Sequence, residues 1–178
     1  MNSIEYLRKI SHNPWYWRSY ILGGLALLIT ALVFQHILDE LPCVVCIQIR
    51  LLITLLILVA IIGSLSCNAS RKVGAISVFS HLSTIAIAAV LTERSYLLLG
   101  TERGFIFAAC GFDLGLPAWF AIEKWLPWFY RIETSCGYTP ELIFGITMAE
   151  ALMVMSVFLL LISVTVFLAF IVPAKTKR

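Results

Sequence analysis

Residues 46–65 read CIQIRLLITLLILVAIIGSL, a run of twenty residues in which Arg50 is the only charged side chain. A helix rises about 1.5 Å per residue, so crossing a hydrocarbon layer of about 30 Å takes about 20 apolar residues. The stretch therefore has the length and polarity of a membrane-spanning helix. Its single charge lies close to one end, where a site at the membrane surface would lie.

Three further stretches of the chain, at about 20–38, 73–92 and 150–172, are also long and apolar enough to span a membrane. The 178 residues are 61% hydrophobic and 13% charged, with a mean hydropathy of +0.96, whereas about 25% of residues are charged in an ordinary soluble domain. We therefore predict one integral membrane domain over residues 1–178, an all-α bundle of four transmembrane helices. No internal repeat or soluble domain is evident in the sequence.

The first apolar stretch has basic residues before it, as the core of a signal peptide does. A signal core is about 7–15 residues long and ends at small residues. This run instead continues to Val33-Phe34-Gln35-His36 with no small-x-small site after it. We expect it to stay as a membrane anchor.

Basic residues predict the orientation of the helices. Eight of the thirteen lie in the amino-terminal tail, the 66–72 loop and the carboxyl-terminal tail: Arg8, Lys9, Arg18, Arg71, Lys72, Lys175, Lys177 and Arg178. By the positive-inside rule these three segments are cytoplasmic, and the loops 39–45 and 93–149 face the other side. The net charge of +3 then reflects membrane topology, and no nucleic-acid partner is predicted.

This topology sorts the five cysteines by compartment. Cys43, Cys46, Cys110 and Cys136 fall on the non-cytoplasmic side, and four is a number that two disulfides need. Cys67 falls on the cytoplasmic side, where thiols are kept reduced. We interpret Cys67 as a small packing residue.

Cys43 and Cys46 form a CxxC motif after Pro42, where an outer turn enters the second helix. Free N–H groups and the helix dipole favour a thiolate at such a helix start. Arg50 lies one turn deeper, about 6 Å along the same helical face. It could extend to the headgroups or pair with Glu93 or Glu150. Beside a CxxC motif, we favour a role in stabilising an anionic sulfur or a reduced quinone.

Two other uses of the cysteines were weighed. A closed zinc site needs four ligands, often as two close pairs, but Cys110 and Cys136 are 26 residues apart with no His near either, so no metal is predicted. A structural disulfide between Cys110 and Cys136 could staple the long outer loop. Together with Cys43 and Cys46, however, the outer pair favours thiol–disulfide exchange between two pairs.

Longer runs around these cysteines resemble a known family. The segments ALVFQH (31–36) and PCVVCI (42–47), followed by Arg50, resemble the first periplasmic loop of the DsbB family, the disulfide-generating oxidases of the bacterial inner membrane. The segments FAAC (107–110), LPAW (116–119) and KWLP (124–127), with Cys136, resemble its second periplasmic loop. The resemblance runs from about residue 20 to the last helix, and it depends mainly on the order of four cysteines over four helices.

The resemblance implies a route for electrons. A reduced DsbA-like periplasmic thiol oxidoreductase would deliver them to Cys110 and Cys136, with Cys110 matching the cysteine that forms the mixed disulfide. They would pass to Cys43 and Cys46, with Cys136 matching the cysteine that links transiently to Cys43. Cys46 matches the thiolate in contact with quinone, and Arg50 matches the quinone-site arginine. The acceptor would be ubiquinone or menaquinone from the membrane pool.

Some positions depart from the family pattern. Gln48 and Ile49 stand where many members have a polar pair such as Tyr-Glu, residues 91–96 contain no His, and residues 148–151 lack the usual proline and tryptophan. His36, seven residues before Cys43, is predicted to be a quinone neighbour. The Trp-rich segment 116–130 is predicted to form a short interfacial helix that anchors the second loop to lipid, with a partner-binding surface as the alternative.

The favoured hypothesis is thus a protein-dithiol:quinone oxidoreductase. A relative of vitamin K epoxide reductase would use the same chemistry, but there the CxxC follows the loop pair, whereas here it precedes the pair. The rival from another class is a structural or adaptor tetraspan protein with two static disulfides.

Overall fold

The structure, a computed structural model, describes residues 9–11, 13–69, 74–107, 114–117, 121–134, 136–137, 139–143 and 145–171. In these ranges the chain is mostly helical, with four long helices: α1 (Pro14–His36), α2 (Val44–Ala69), α3 (Ala75–Glu102) and α6 (Met148–Ile171). All four are long and apolar enough to cross a membrane. The prediction of a multi-pass, four-helix membrane protein is confirmed at this level.

The segment between α3 and α6 carries the small elements of the fold. Two four-residue helices, α4 (Ile122–Trp125) and α5 (Pro127–Tyr130), precede the antiparallel hairpin of β1 (Glu141–Ile143) and β2 (Ile146–Thr147). In the described part of the predicted helix over 116–130, these are two separate turns, because Leu126 leaves helical geometry before Pro127. Residues 118–120 of that prediction lie outside the described residues. Its place in a membrane interface stays a prediction, as does the cytoplasmic location of the tails.

The long helices form an open arc in the order α1, α2, α3, α6, in which each packs against the next. The ends of the arc meet where the hydroxyls of Tyr20 on α1 and Ser163 on α6 are 2.9 Å apart. Toward the end of the bundle that carries Cys43 and Cys46, a cavity lies between α1, α2 and α6. α2 is the most buried of the four long helices, and its residues Ile47, Ile53 and Ala60 are almost fully buried.

Two helix ends differ from the predicted ones by more than four residues. α1 begins six residues early, because the Asn13 side chain accepts a hydrogen bond from the Trp15 N–H at 3.0 Å and Pro14 occupies the first helical position. α3 continues ten residues past the predicted end at Thr92. It continues because Leu91, Ser95 and Leu98 follow one buried face, so the outer loop is shorter than the predicted 93–149.

The start of α6 is held by a reciprocal cap. The Thr147 hydroxyl accepts a hydrogen bond from the Glu150 N–H at 3.4 Å, and the Glu150 carboxylate accepts one from the Thr147 N–H at 3.2 Å. The same carboxylate pairs with Arg103, the residue that ends α3. The ends of α3 and α6 are thereby joined on the side of the bundle that carries the thiol pair.

Candidate functional site

Cys43 and Cys46 lie at the start of α2, as the sequence predicts. Both are free thiols, and their Sγ atoms are 3.0 Å apart. Cys43 is 1% exposed, whereas Cys46 is half-buried and lines the cavity. The two sulfurs thus have different surroundings, although only two residues separate them.

Hydrogen bonding at the start of α2 lowers the pKa of the Cys43 thiol, which precedes the first residue of the helix. The two thiols are within hydrogen-bonding distance of each other, and the backbone N–H of Cys46 donates to the Cys43 Sγ at 3.4 Å. When Cys43 loses its proton, the remaining Cys46 S–H can donate to the Cys43 thiolate. The hydrogen bond from the Cys46 thiol, assisted by backbone N–H groups and opposed by burial, lowers the pKa of Cys43 to about 7.

Arg50 is 6% exposed and held by three acceptors from two parts of the chain. Its guanidinium donates to the Gln35 side-chain oxygen, to the Ala31 carbonyl at 3.1 Å and to the Phe129 carbonyl at 3.1 Å. All three acceptors are neutral, and in the described ranges Arg50 makes no ion pair with a carboxylate. The alternative pairing with Glu150 is not seen, because Glu150 pairs with Arg103.

A lateral cavity of about 910 Å³, counting its open mouth, adjoins these groups. Its walls come from α1, the 40–42 turn, α2, the loop near Pro140 and the start of α6. Most of the lining is aliphatic or aromatic, and Cys46, Arg50 and Glu40 are its ionisable side chains. Concave, mainly apolar sites with a few converging polar groups are typical of small-molecule binding.

The chain segment that leads to Cys136 is docked beside Cys43. The N–H groups of Glu133 and Thr134 donate to the Pro42 carbonyl at 3.0 and 3.4 Å, and Thr134 forms an isolated parallel bridge with Cys43. Cys136 is disulfide-bonded and packs against the same buried cluster as Cys43. The predicted site residue Cys110 lies outside the described residues.

Two glutamines near the site have partners in other segments. Gln35, whose role sequence reasoning missed, is buried and bonds Arg50. The available signal was a polar side chain within the apolar run of α1. Gln48 donates to the Leu114 carbonyl at 3.2 Å and so ties α2 to the outer loop.

His36 is placed differently from the other predicted site residues. It is exposed at the end of α1, its Nε2 lies 3.0 Å from the Trp128 carbonyl, and it is not among the residues that line the lateral cavity. The structure thus brings together Cys43, Cys46 and Arg50, while His36 links α1 to α5. Its contact with quinone stays a prediction.

Comparisons with known proteins agree over most of the chain. The family described as Disulfide bond formation protein DsbB matches residues 13–166. Disulfide bond formation protein B of Psychromonas ingrahamii is 29% identical over 180 residues, covering 97% of this chain and 90% of the relative. Disulfide bond formation protein B 2 of Pseudomonas aeruginosa is 31% identical over 156 residues, covering 88% and 91%. The Escherichia coli K12 protein is 26% identical over 175 residues, covering 98% and 96%. Because this family match spans most of the chain, the chain belongs to the DsbB family of disulfide bond formation proteins.

Proposed function

We propose that the protein is a protein-dithiol:quinone oxidoreductase of the bacterial inner membrane, which reoxidises a DsbA-like periplasmic partner. The observation that carries this proposal is the placement of Cys46 and Arg50 in the wall of one apolar cavity. A thiol pair with access to a membrane cavity can exchange electrons with a lipid-soluble acceptor. The cysteine side would be periplasmic, in line with the basic residues of the tails.

The electron transfer balances over three exchanges. The partner's dithiol reduces the Cys110–Cys136 disulfide and leaves as a disulfide. The resulting thiols reduce the Cys43–Cys46 disulfide and return to their own. The Cys43–Cys46 dithiol then releases two electrons and two protons to the acceptor and closes again. Free Cys43 and Cys46 beside a disulfide-bonded Cys136 match the stage before this last exchange.

The cavity residues fit a quinone. A bound quinone would supply a two-electron acceptor, and its apolar tail suits the aliphatic walls. Arg50 keeps its charge at any physiological pH, and its acceptors are all neutral. The charge is therefore available to stabilise an anion in the cavity, either a Cys46 thiolate or a reduced acceptor oxygen.

The docked segment 133–134 supports exchange between the two pairs. Cys136 follows two residues after Thr134, which bridges to Cys43, so at most about 7 Å of chain lies between Thr134 and Cys136. A modest local shift would bring the two sulfurs together. A tetraspan protein with two static disulfides, the rival hypothesis, requires a permanent Cys43–Cys46 bond.

Redox trapping of the cysteines tests the proposal. In membranes with a reduced DsbA-like protein, the Cys43–Cys46 pair should become reduced when quinone is depleted and oxidised when it is restored. Cys46→Ser should abolish quinone reduction, and Cys110→Ser should preserve quinone contact but stop turnover of the partner. Cys67→Ser is the matched control and should behave as wild type. Cysteines that ignore both quinone and partner would refute the proposal, and equal partner turnover by Cys110→Ser and wild type would refute the route.

A visible absorption spectrum tests the contact between Cys46 and quinone directly. A thiolate–quinone charge-transfer band should appear transiently when quinone is added to the purified, reduced protein, before the Cys43–Cys46 disulfide closes. The band should be absent in Cys46→Ser and weakened in Arg50→Gln. A band of unchanged strength in Cys46→Ser would exclude that sulfur as the contact.

A further inference from the structure

Among the residues that the structure describes, Glu40 is the single carboxylate in the wall of the lateral cavity. Glu40 belongs to the turn after α1, where Asp39 has a φ of +52° and the Glu40 N–H donates to the Phe34 carbonyl at 3.0 Å. Its side chain is half-buried. Cys46 and Arg50 line the same cavity.

Glu40 also lines a second concavity, here called the outer cleft. The outer cleft carries three carboxylates, those of Glu40, Glu102 and Glu141, with Thr139 and Thr147. Phe34, Glu40 and Pro140 line both the cleft and the lateral cavity, and Glu40 is the only ionisable residue of the three. Glu40 thus lies between the mainly apolar lateral cavity and the polar outer cleft.

The proposed reaction needs a proton at this place. If Cys46 reacts as a thiolate, its proton has already left, and the reduced acceptor oxygen must take one from another group. Arg50 does not release its proton, and the Thr30 hydroxyl is committed to the Ala26 carbonyl. A carboxylate can accept a proton from water and pass it to a neighbouring oxygen, as a general acid–base group does.

We propose that Glu40 carries protons between the outer cleft and the acceptor site beside Cys46. The Glu40 carboxylate takes a proton from water in the outer cleft and passes it to a reduced acceptor oxygen, and it does so once for each of the two acceptor oxygens. The two protons lost by Cys43 and Cys46 leave to the same aqueous side, so each turnover moves two electrons and consumes as many protons at the acceptor as the thiols release. This inference depends on the proposed function, because it requires quinone to be reduced in the lateral cavity.

The test uses the full-length protein in detergent, with dithiothreitol as reductant and a short-chain ubiquinone as acceptor. Glu40→Gln should reduce quinone at least about 10-fold more slowly than wild type. Two readouts outside turnover should be unchanged: the affinity for the quinone, and the rate of dithiol–disulfide exchange at Cys43 and Cys46 without quinone. Glu40→Asp should keep part of the rate, and formate should restore activity to Glu40→Ala.

Matched controls remove neighbouring carboxylates. Glu141→Gln lies on the outer cleft only, and Asp39→Asn adjoins Glu40 in a left-handed conformation that Asn also adopts readily. Both should reduce quinone at the wild-type rate. A wild-type rate for Glu40→Gln, a parallel loss of quinone affinity, or failure of formate to restore Glu40→Ala would overturn the proton-carrying role. Failure of the wild type to reduce quinone would instead overturn the proposed function, and the inference with it.

Discussion

At the scale of single residues, the CxxC motif places two chemically equal thiols in unequal positions. Cys43 precedes the first residue of α2, and its Sγ accepts a hydrogen bond from the backbone N–H of Cys46. Cys46 lies in the first turn of α2 and lines the lateral cavity. Such a pair can divide its tasks, with Cys43 receiving electrons from the loop pair and Cys46 passing them on. The helix start thus provides both the acidity of one thiol and the membrane access of the other.

The pKa of Cys43 provides a residue-scale prediction. In the reduced protein, thiolate absorbance should appear as the pH rises through about 7. Cys46→Ala should raise this midpoint, because it removes the hydrogen bond that most lowers the pKa of Cys43. Cys67→Ala is the control and should leave the midpoint unchanged. A midpoint that stays near 7 in Cys46→Ala would show that the Cys46 thiol does not stabilise the Cys43 thiolate.

The same pKa sets a pH dependence of stability. The folded value of about 7 lies below the ordinary thiol value of 9.0. The contribution to the free energy of unfolding is therefore complete above pH 9 and is lost as the pH falls through 7. The reduced protein should lose this increment between pH 9 and pH 7, and a Cys43→Ala variant should not.

Gln35 allows the charge of Arg50 to be tested without changing Arg50 itself. Gln35→Glu would place a carboxylate on the guanidinium, and the new ion pair should slow quinone reduction and weaken the charge-transfer band. Gln35→Leu removes the same hydrogen bond without adding a charge, so a larger loss of the band in Gln35→Glu isolates the charge effect. Equal bands in the two variants would mean that the free charge of Arg50 has no role.

At the scale of elements, the sequence predicts the helices well and their ends less well. The bilayer requires apolar runs of a certain length, so four helices follow from composition alone. The predicted end of α3 at Thr92 was wrong. The charged residues Glu93 and Arg94 are typical of a membrane boundary, but packing of Leu98 extends the helix beyond them. The apolar runs predict where each helix would leave the hydrocarbon layer, but they do not predict how far packing against other helices extends it.

Some features of the candidate site are also predictable from local sequence, and others are not. Cys43, Cys46 and Arg50 lie within eight residues of one another, so helical spacing alone predicts that they share one region. The partners of Arg50 and the neighbours of Cys43 come from Gln35 and from residues 129–134. These contacts join distant segments and depend on how the outer loop folds back, which no local pattern encodes.

The cap of α6 is open to a stability test. Thr147→Ala should destabilise the protein by about 1 kcal/mol, because it removes the side-chain acceptor at the helix start. The measurement is the thermal unfolding midpoint by circular dichroism in detergent. Thr165→Ala, within the same helix, removes a threonine that caps nothing and should leave the midpoint unchanged or slightly higher. Equal midpoints for Thr147→Ala and Thr165→Ala would show that the cap contributes nothing.

The docked segment 133–134 is testable by trapping. In a Cys46→Ala/Cys110→Ala variant, Cys43 and Cys136 should oxidise to a disulfide, because the bridge at Thr134 holds their chains close. Mass spectrometry of the linked peptides would detect it. The matched variant Cys43→Ala/Cys110→Ala leaves Cys46 and Cys136 and should cross-link far less. Equal cross-linking would contradict a specific path through Cys43.

At the scale of the whole molecule, the proposed orientation concentrates the chemistry at one end of the bundle. Cys43, the lateral cavity, the α3–α6 ion pair and the hairpin lie at that end. The opposite end of the bundle carries the basic tails, and the positive-inside rule predicts that this end is cytoplasmic.

Reporter fusions test this orientation. Green fluorescent protein after Arg178 should fluoresce, and alkaline phosphatase at the same position should be inactive. Alkaline phosphatase inserted in the outer loop should be active and is the matched control. An active phosphatase after Arg178 would reverse the orientation and place the thiol pair in the cytoplasm.

The open arc of helices has a mechanical consequence. The Tyr20–Ser163 contact joins its two ends, so it can serve as a pivot for α1 and α6. Ala31, in the cavity wall, lies eleven residues further along α1, about 16 Å from the pivot. A tilt of α1 by about 5° about this contact would widen the gap between α1 and α6 by about 1.4 Å at the cavity. α1 and α6 would then move apart at the cavity, and a flat molecule in the lipid could enter sideways between these two helices.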